Sequence, residues 1–159
     1  MPQRPYLFVS YSTREEHVPL FLDALEQAVA DTYDIRKTPD LLETSQSQLE
    51  QIRRTIHMCS IGIVLLDGLR PNVVFEYGLL IGMQRPTMLF LEKDAAIDIR
   101  GLHQVEPLPE VKNVPLHVDL HFSDVKDQFI IRWNKYDPKA TRQLIKDQLD
   151  KKRAEAETS

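Results

Sequence analysis

Residues 61–66 read Ile-Gly-Ile-Val-Leu-Leu, six positions without a polar side chain, closed at once by Asp67-Gly68. A strand with one wet face alternates polar and apolar residues, whereas a strand that is apolar throughout must be covered on both faces. This segment alone argues for the interior of a parallel sheet with helices above and below it. The rest of the chain supplies matching parts. Tyr6-Leu7-Phe8-Val9-Ser10 and residues 87–91 are further short apolar runs, and residues 33–37 form a more polar strand suited to an edge.

Helical patterns separate these runs. Val18, Phe21, Leu22, Leu25, Ala28 and Val29 make a stripe at helical spacing, preceded by two overlapping capping boxes, Ser12 with Glu15 and Thr13 with Glu16. Pro39 breaks the chain. A second amphipathic helix then sets Leu49, Ile52, Ile56 and either Met58 or Cys59 inward. Pro71 suits the first position of a third helix, which Arg85-Pro86 ends.

Beyond Asp94 the chain is loop-like as far as Pro115, and residues 116–120 alternate like an edge strand. Ser123 caps a helix carrying Val125, Phe129, Ile130 and Trp133, and Asp137-Pro138 opens a last helix with Leu144, Ile145 and Leu149. The expectation is one α/β domain over residues 1–150. It is a three-layer sandwich whose mostly parallel sheet of about five strands carries helices on both faces. Residues 151–159 are expected to fray as a tail.

Composition narrows the function. With 20 basic against 24 acidic residues and a net charge of −4, the balance does not suggest nucleic acid, which favours a basic face. Cys59 is the only cysteine, which rules out an internal disulfide and makes a reducing compartment the default. No apolar run reaches the roughly 20 residues of a membrane span, and the first residues lack a signal-peptide layout. The expected setting is cytoplasmic, with neither membrane nor nucleic acid as partner.

Several chemistries lack their motifs. The chain has no P-loop, no Gly-x-Gly-x-x-Gly after a strand and no Gly-x-Ser-x-Gly elbow, so no redox dinucleotide cofactor is expected. Gly78 and Gly82 fall inside the third helix, where they read as allowing close helix–sheet packing. His117, Asp119 and His121 would share one face of the 116–120 strand, but an exposed edge accounts for them equally, and no metal is assigned.

Glu76 stands apart. It is the only charged residue between Arg70 and Arg85, in a helix that is apolar nearly all round. A carboxylate buried there must be paired, hydrogen-bonded or open to a cleft, although a Glu near a helix N-terminus is also held simply by the dipole. In a parallel α/β sheet the ligand crevice lies beyond the carboxyl ends of the strands. The residues at those ends include Ser10, Tyr11, Ser12, Arg14, Asp67 and Asn72. Asn72 and Glu76 are four apart and share a helix face. Together they can grip the vicinal hydroxyls of a ribose, while the carboxylate stabilises or traps the positive charge that grows as an N-glycosidic bond breaks. Glycoside hydrolysis usually needs a second carboxylate to protonate the leaving group, and Asp67 is the near candidate. A pyridinium leaves neutral without that help.

The opening Phe8-Val9-Ser10-Tyr11-Ser12 resembles the first box of TIR (Toll and interleukin receptor) domains. The segment from Asn72 through Phe75-Glu76-Tyr77-Gly78 to Gly82, followed by Arg85-Pro86, is similar to bacterial TIR-like proteins of the predicted nucleotide-binding type. Nucleoside 2-deoxyribosyltransferases look alike in the same place. The resemblance implies a flavodoxin-like fold and cleavage of NAD, as substrate, to nicotinamide and ADP-ribose or a cyclic form. It maps the catalytic glutamate onto Glu76 and lines the pocket with Ser10, Tyr11 and Ser12. It assigns head-to-tail self-association to the loop 38–45, which opens on Thr38 and closes on Ser45. Tyr77 replaces the usual Leu, and that loop lacks the aromatic often found there.

Three functional readings follow. The first is a TIR-type NAD glycohydrolase of bacterial anti-phage or stress response, activated by self-assembly and answering to a separate sensor or effector protein. The second is a nucleoside or nucleotide N-glycosidase or 2-deoxyribosyltransferase, with Asp67 as acid. The third is a non-catalytic interaction or nucleotide-sensing module in which Glu76 is structural.

Overall fold

The computed structural model describes residues 4–37, 46–95 and 130–158. Its elements are β1 (Tyr6–Ser10), α1 (Val18–Val29), β2 (Asp34–Lys37), α2 (Gln46–Met58), β3 (Ile61–Leu65), α3 (Pro71–Gly82), β4 (Thr87–Glu92), β5 (Ile130–Trp133) and α4 (Pro138–Glu157). The five strands form one sheet in the order β2-β1-β3-β4-β5, and every pairing is parallel. This is the order of a flavodoxin-like three-layer α/β sandwich. Every residue of β3 is buried, as its unbroken apolar run requires, and β2 lies at an edge with alternating exposure.

Side-chain alternation divides the core into two. Leu7 and Val9 of β1, Ile61, Ile63 and Leu65 of β3, and Met88 and Phe90 of β4 face α1 and α4. Phe8, Val64, Leu66, Leu89 and Leu91 face α2 and α3. On the first face Phe21 packs between Phe90 and Trp133, with ring centroids 4.9 and 5.2 Å apart. Such ring pairs contribute about 0.5–1.5 kcal/mol beyond their buried area. Asp137 caps α4 by accepting a hydrogen bond from the Ala140 amide at 3.0 Å.

Several expectations need correction. Residues 130–133 form a strand rather than part of a helix, because Ile-Ile-Arg-Trp satisfies its backbone along the edge of β4. The capping boxes do not form. α1 starts only at Val18 behind His17, which offers no side-chain cap, and the Ser12 hydroxyl instead accepts from the Arg14 amide at 3.3 Å. On α2, Ile56 turns inward while Leu49 and Met58 are exposed, and Cys59, just past the helix, is buried.

α3 is not enclosed all round. Val73, Glu76 and Leu80 are its buried residues, whereas Phe75 and Ile81 are half exposed. Gly78 and Gly82 look onto open space. Gly62 of β3 is the glycine that permits close approach, since a Cβ there would stand 2.5 Å from Leu80 Cδ2. Residues 151–157, expected to fray, are instead the last turns of α4. The loop 38–45, the 116–120 strand with His117, Asp119 and His121, and the Ser123 cap lie outside the described residues. No described helix is long and apolar enough to cross a membrane.

Candidate functional site

The carboxyl ends of β1 and β3 point into the region where α3 begins. Strand alternation carries Ser10 onto the same face as Phe8, toward α3. Glu76 reaches that point from α3, because positions 73, 76 and 80 form the stripe that the helix turns inward. The two side chains meet, with the Ser10 hydroxyl donating to Glu76 Oε2. Ser10 is fully buried and Glu76 is 3% exposed. A carboxylate so deeply withdrawn from water needs such a donor, and hydrogen bonds to charged groups contribute about 1.5–3 kcal/mol each.

Asp67 goes the other way. It lies one residue past Leu66, so alternation puts it on the face of Leu65, toward α1 and α4. There it is 1% exposed and serves as a hub. His17 Nε2 lies 2.7 Å from Oδ1, and the Glu92 amide donates to the same oxygen at 3.1 Å. Trp133 Nε1 donates to Oδ2 at 3.4 Å. An ionised carboxylate only accepts, so the His17 nitrogen facing it carries the proton. The imidazole also packs against Trp133, with ring centroids 5.7 Å apart.

The remaining expected site residues differ in burial and in hydrogen bonding. Tyr11 is half buried and packs against the α1–α4 core. Ser12 is 2% exposed and closes its own turn onto the Arg14 amide. Arg14 is exposed. Asn72 is exposed in the first turn of α3, one turn before the buried Glu76, so their shared helix side runs from solvent into the core. Gly68 turns the chain after Asp67 with φ of +67°, and a Cβ there would run into the Glu15 side chain.

Three residues of the Asp67 hub were not singled out by the sequence. Glu92 gave a signal, being a carboxylate that closes an apolar strand. It is 1% exposed, its Oε2 accepts from the Asp94 amide at 2.8 Å, and its buried Oε1 has no hydrogen-bond partner. Trp133 was hidden because its segment reads equally well as a helix. His17 gave no signal, since its partner lies 50 residues away.

Among the described residues no three His, Cys, Asp or Glu side chains converge as a metal site. Cys59, 1% exposed, has its thiol pushed up from 9.0 to about 11 by burial, with the nearby Arg85 charge pulling the other way. In comparisons with known proteins, no family model matches the chain and no curated protein matches it in sequence.

Proposed function

We propose that the chain is a TIR-type NAD glycohydrolase in which Glu76 is the catalytic carboxylate. The observation that carries this reading is the buried Ser10–Glu76 pair at the carboxyl ends of the two central strands. In the proposed reaction the bond between ribose C1′ and the pyridinium nitrogen breaks, and both electrons leave with nicotinamide, which departs neutral. Glu76 stabilises or traps the cation left at C1′. Water then adds there and releases a proton, giving ADP-ribose, or a nitrogen of the adenine adds to give a cyclic product.

The position of Asp67 favours this reading over nucleoside N-glycoside cleavage or deoxyribosyl transfer. A purine or pyrimidine leaving group benefits from an acid beside the carboxylate. Asp67 instead faces the opposite side of the sheet, where both of its oxygens accept hydrogen bonds. One carboxylate suffices for nicotinamide.

With Glu76 only 3% exposed, a covering segment must move before a ribose reaches it. That requirement suits an activity that rises on self-assembly, in a bacterial anti-phage or stress response with a separate sensor or effector. The test is nicotinamide release from NAD by the purified chain at several concentrations, beside Glu76→Gln. Release that climbs more steeply than concentration and vanishes in the variant supports the reading. A correctly folded chain that releases none at any concentration overturns it, and nucleosides become the substrates to try.

A further inference from the structure

At the opposite end of the strands from Ser10 and Glu76, α3 turns into β4 through Gln84, Arg85 and Pro86. This corner is fixed by its backbone. The amides of Met83, Gln84 and Arg85 donate to the carbonyls of Leu79, Ile81 and Leu80 at 2.9 Å, and Gln84 takes a left-handed φ of 54°. The Pro86 carbonyl accepts from Gly62 and the Arg85 carbonyl from Thr87 Oγ1, at 2.8 and 2.9 Å. Between the corner and the last turns of α4 lies an open cavity of about 390 Å³, lined by Ile81, Gln84, Arg85, Pro86, Lys152, Glu155 and Ala156. Its volume falls within the roughly 300–1,000 Å³ range of small-molecule sites.

The lining carries two cations, Arg85 and Lys152, against one carboxylate, Glu155. Arg85 is half buried, and its Nε is wholly buried without a hydrogen-bond partner. Among the described residues no carboxylate pairs with it. Lys152, the second cation, meets Glu155 at 3.6 Å, both side chains being partly in solvent. An exposed pair of that kind contributes about 0–1 kcal/mol, so Lys152 is easily recruited by another anion. A half-buried guanidinium that lacks an anion is costly, and its planar fork matches a phosphate or carboxylate through two parallel hydrogen bonds.

We propose that this cavity binds a small phosphate monoester. A phosphate monoester offers three terminal oxygens, enough for the Arg85 fork and the Lys152 ammonium together once Lys152 leaves its exposed pairing with Glu155, whereas the two oxygens of a carboxylate are taken up by the fork alone. The phosphate sits between the two cations, and the apolar part of the molecule lies against Ile81, Pro86 and Ala156. The inference does not depend on the NAD-cleaving reading, because it concerns the other end of the sheet.

The experiment is a titration of the isotope-labelled chain with phenyl phosphate, followed by amide NMR, beside inorganic phosphate and the uncharged benzyl alcohol. Saturable shifts at Gln84, Arg85, Lys152 and Ala156, with Ser10 and Glu76 unmoved, are the expected result. Arg85→Gln should weaken binding at least tenfold and Lys152→Gln by a smaller factor, and benzyl alcohol should leave these amides unchanged. Absence of saturation by about 10 mM, weaker than any useful small-ligand affinity, overturns the proposal, as does Arg85→Gln binding as tightly as the parent. Inorganic phosphate binding as tightly as phenyl phosphate removes the apolar half of the site. Should Arg85→Gln fail to fold, Lys152→Gln, which alters a partly exposed helix residue, decides the matter alone.

Discussion

His17 Nε2 lies 2.7 Å from Asp67 Oδ1, although 50 residues separate them. The bond pins the last residue of the β1–α1 loop to the end of β3. Ser10, the last residue of β1 before that connection, is tied to Glu76 on the other face of the sheet. The segment that would line a substrate pocket is therefore anchored at both ends, once on each side.

Asp67→Asn places an amide nitrogen where donors converge from His17, Glu92 and Trp133. Breaking a buried charged interaction costs about 3–5 kcal/mol, and a loss near that scale should appear as a lower urea midpoint. If the hub is structural, nicotinamide release per folded molecule should hardly change. A variant as stable as the parent would sink the hub interpretation.

Ser10→Ala should act differently. It removes the Ser10 hydroxyl as a donor to Glu76, so kcat should fall by roughly tenfold, equivalent to about 1.4 kcal/mol, the size of one such hydrogen bond. KM for NAD should move little if the hydroxyl only holds Glu76. A rise in KM with kcat intact would instead make Ser10 a substrate contact.

The parts of the fold that were legible in the sequence are those governed by local rules. The all-apolar β3 forced a doubly covered parallel sheet, Pro71 and Asp137 marked helix starts, and the polar β2 took an edge. Glu76 was legible because a lone charge on an apolar helix has few places to go. Its partner was less so, since Ser10 meets it only through the register of β1 on β3. Asp67 misled because chain proximity to Glu76 suggested a shared crevice, whereas the two-residue period of a strand turns it to the other face. Ile-Ile-Arg-Trp was misread because four residues are too few for periodicity to separate a strand from a helix.

The glycines offer a test of opposite signs. Gly78 is exposed in mid-helix with nothing near its missing Cβ, so Gly78→Ala should stabilise the chain by about 0.5–1 kcal/mol through helix propensity. Gly68→Ala must adopt the left-handed φ of +67° and displace Glu15, which should cost about 1–3 kcal/mol. Thermal unfolding of the two variants should move in opposite directions. Equal shifts would contradict the geometry of the turn after Asp67.

Cys59 carries the pH prediction. Burial raises its thiol from 9.0 to about 11 in the folded chain. The unfolded chain therefore loses this proton first as pH rises. The contribution of Cys59 to stability is intact below about pH 9 and is lost on the way to about pH 11. Native protein should react slowly with a thiol reagent at neutral pH and quickly in denaturant. Prompt native labelling would show that the thiol is not where the fold puts it.

Trp133, Ile145 and Leu149 share one core with Phe21, Leu25 and Phe90. A chain emerging from the ribosome thus exposes one side of its first helix and central strands until α4 has been made. Until then Phe21 and Phe90 lack their lid, a state in which apolar surface and strand edges invite aggregation. Synthesis that stalls before Pro138 should leave a species in need of a chaperone, and any truncation meant to isolate the Glu76 region must keep the last helix.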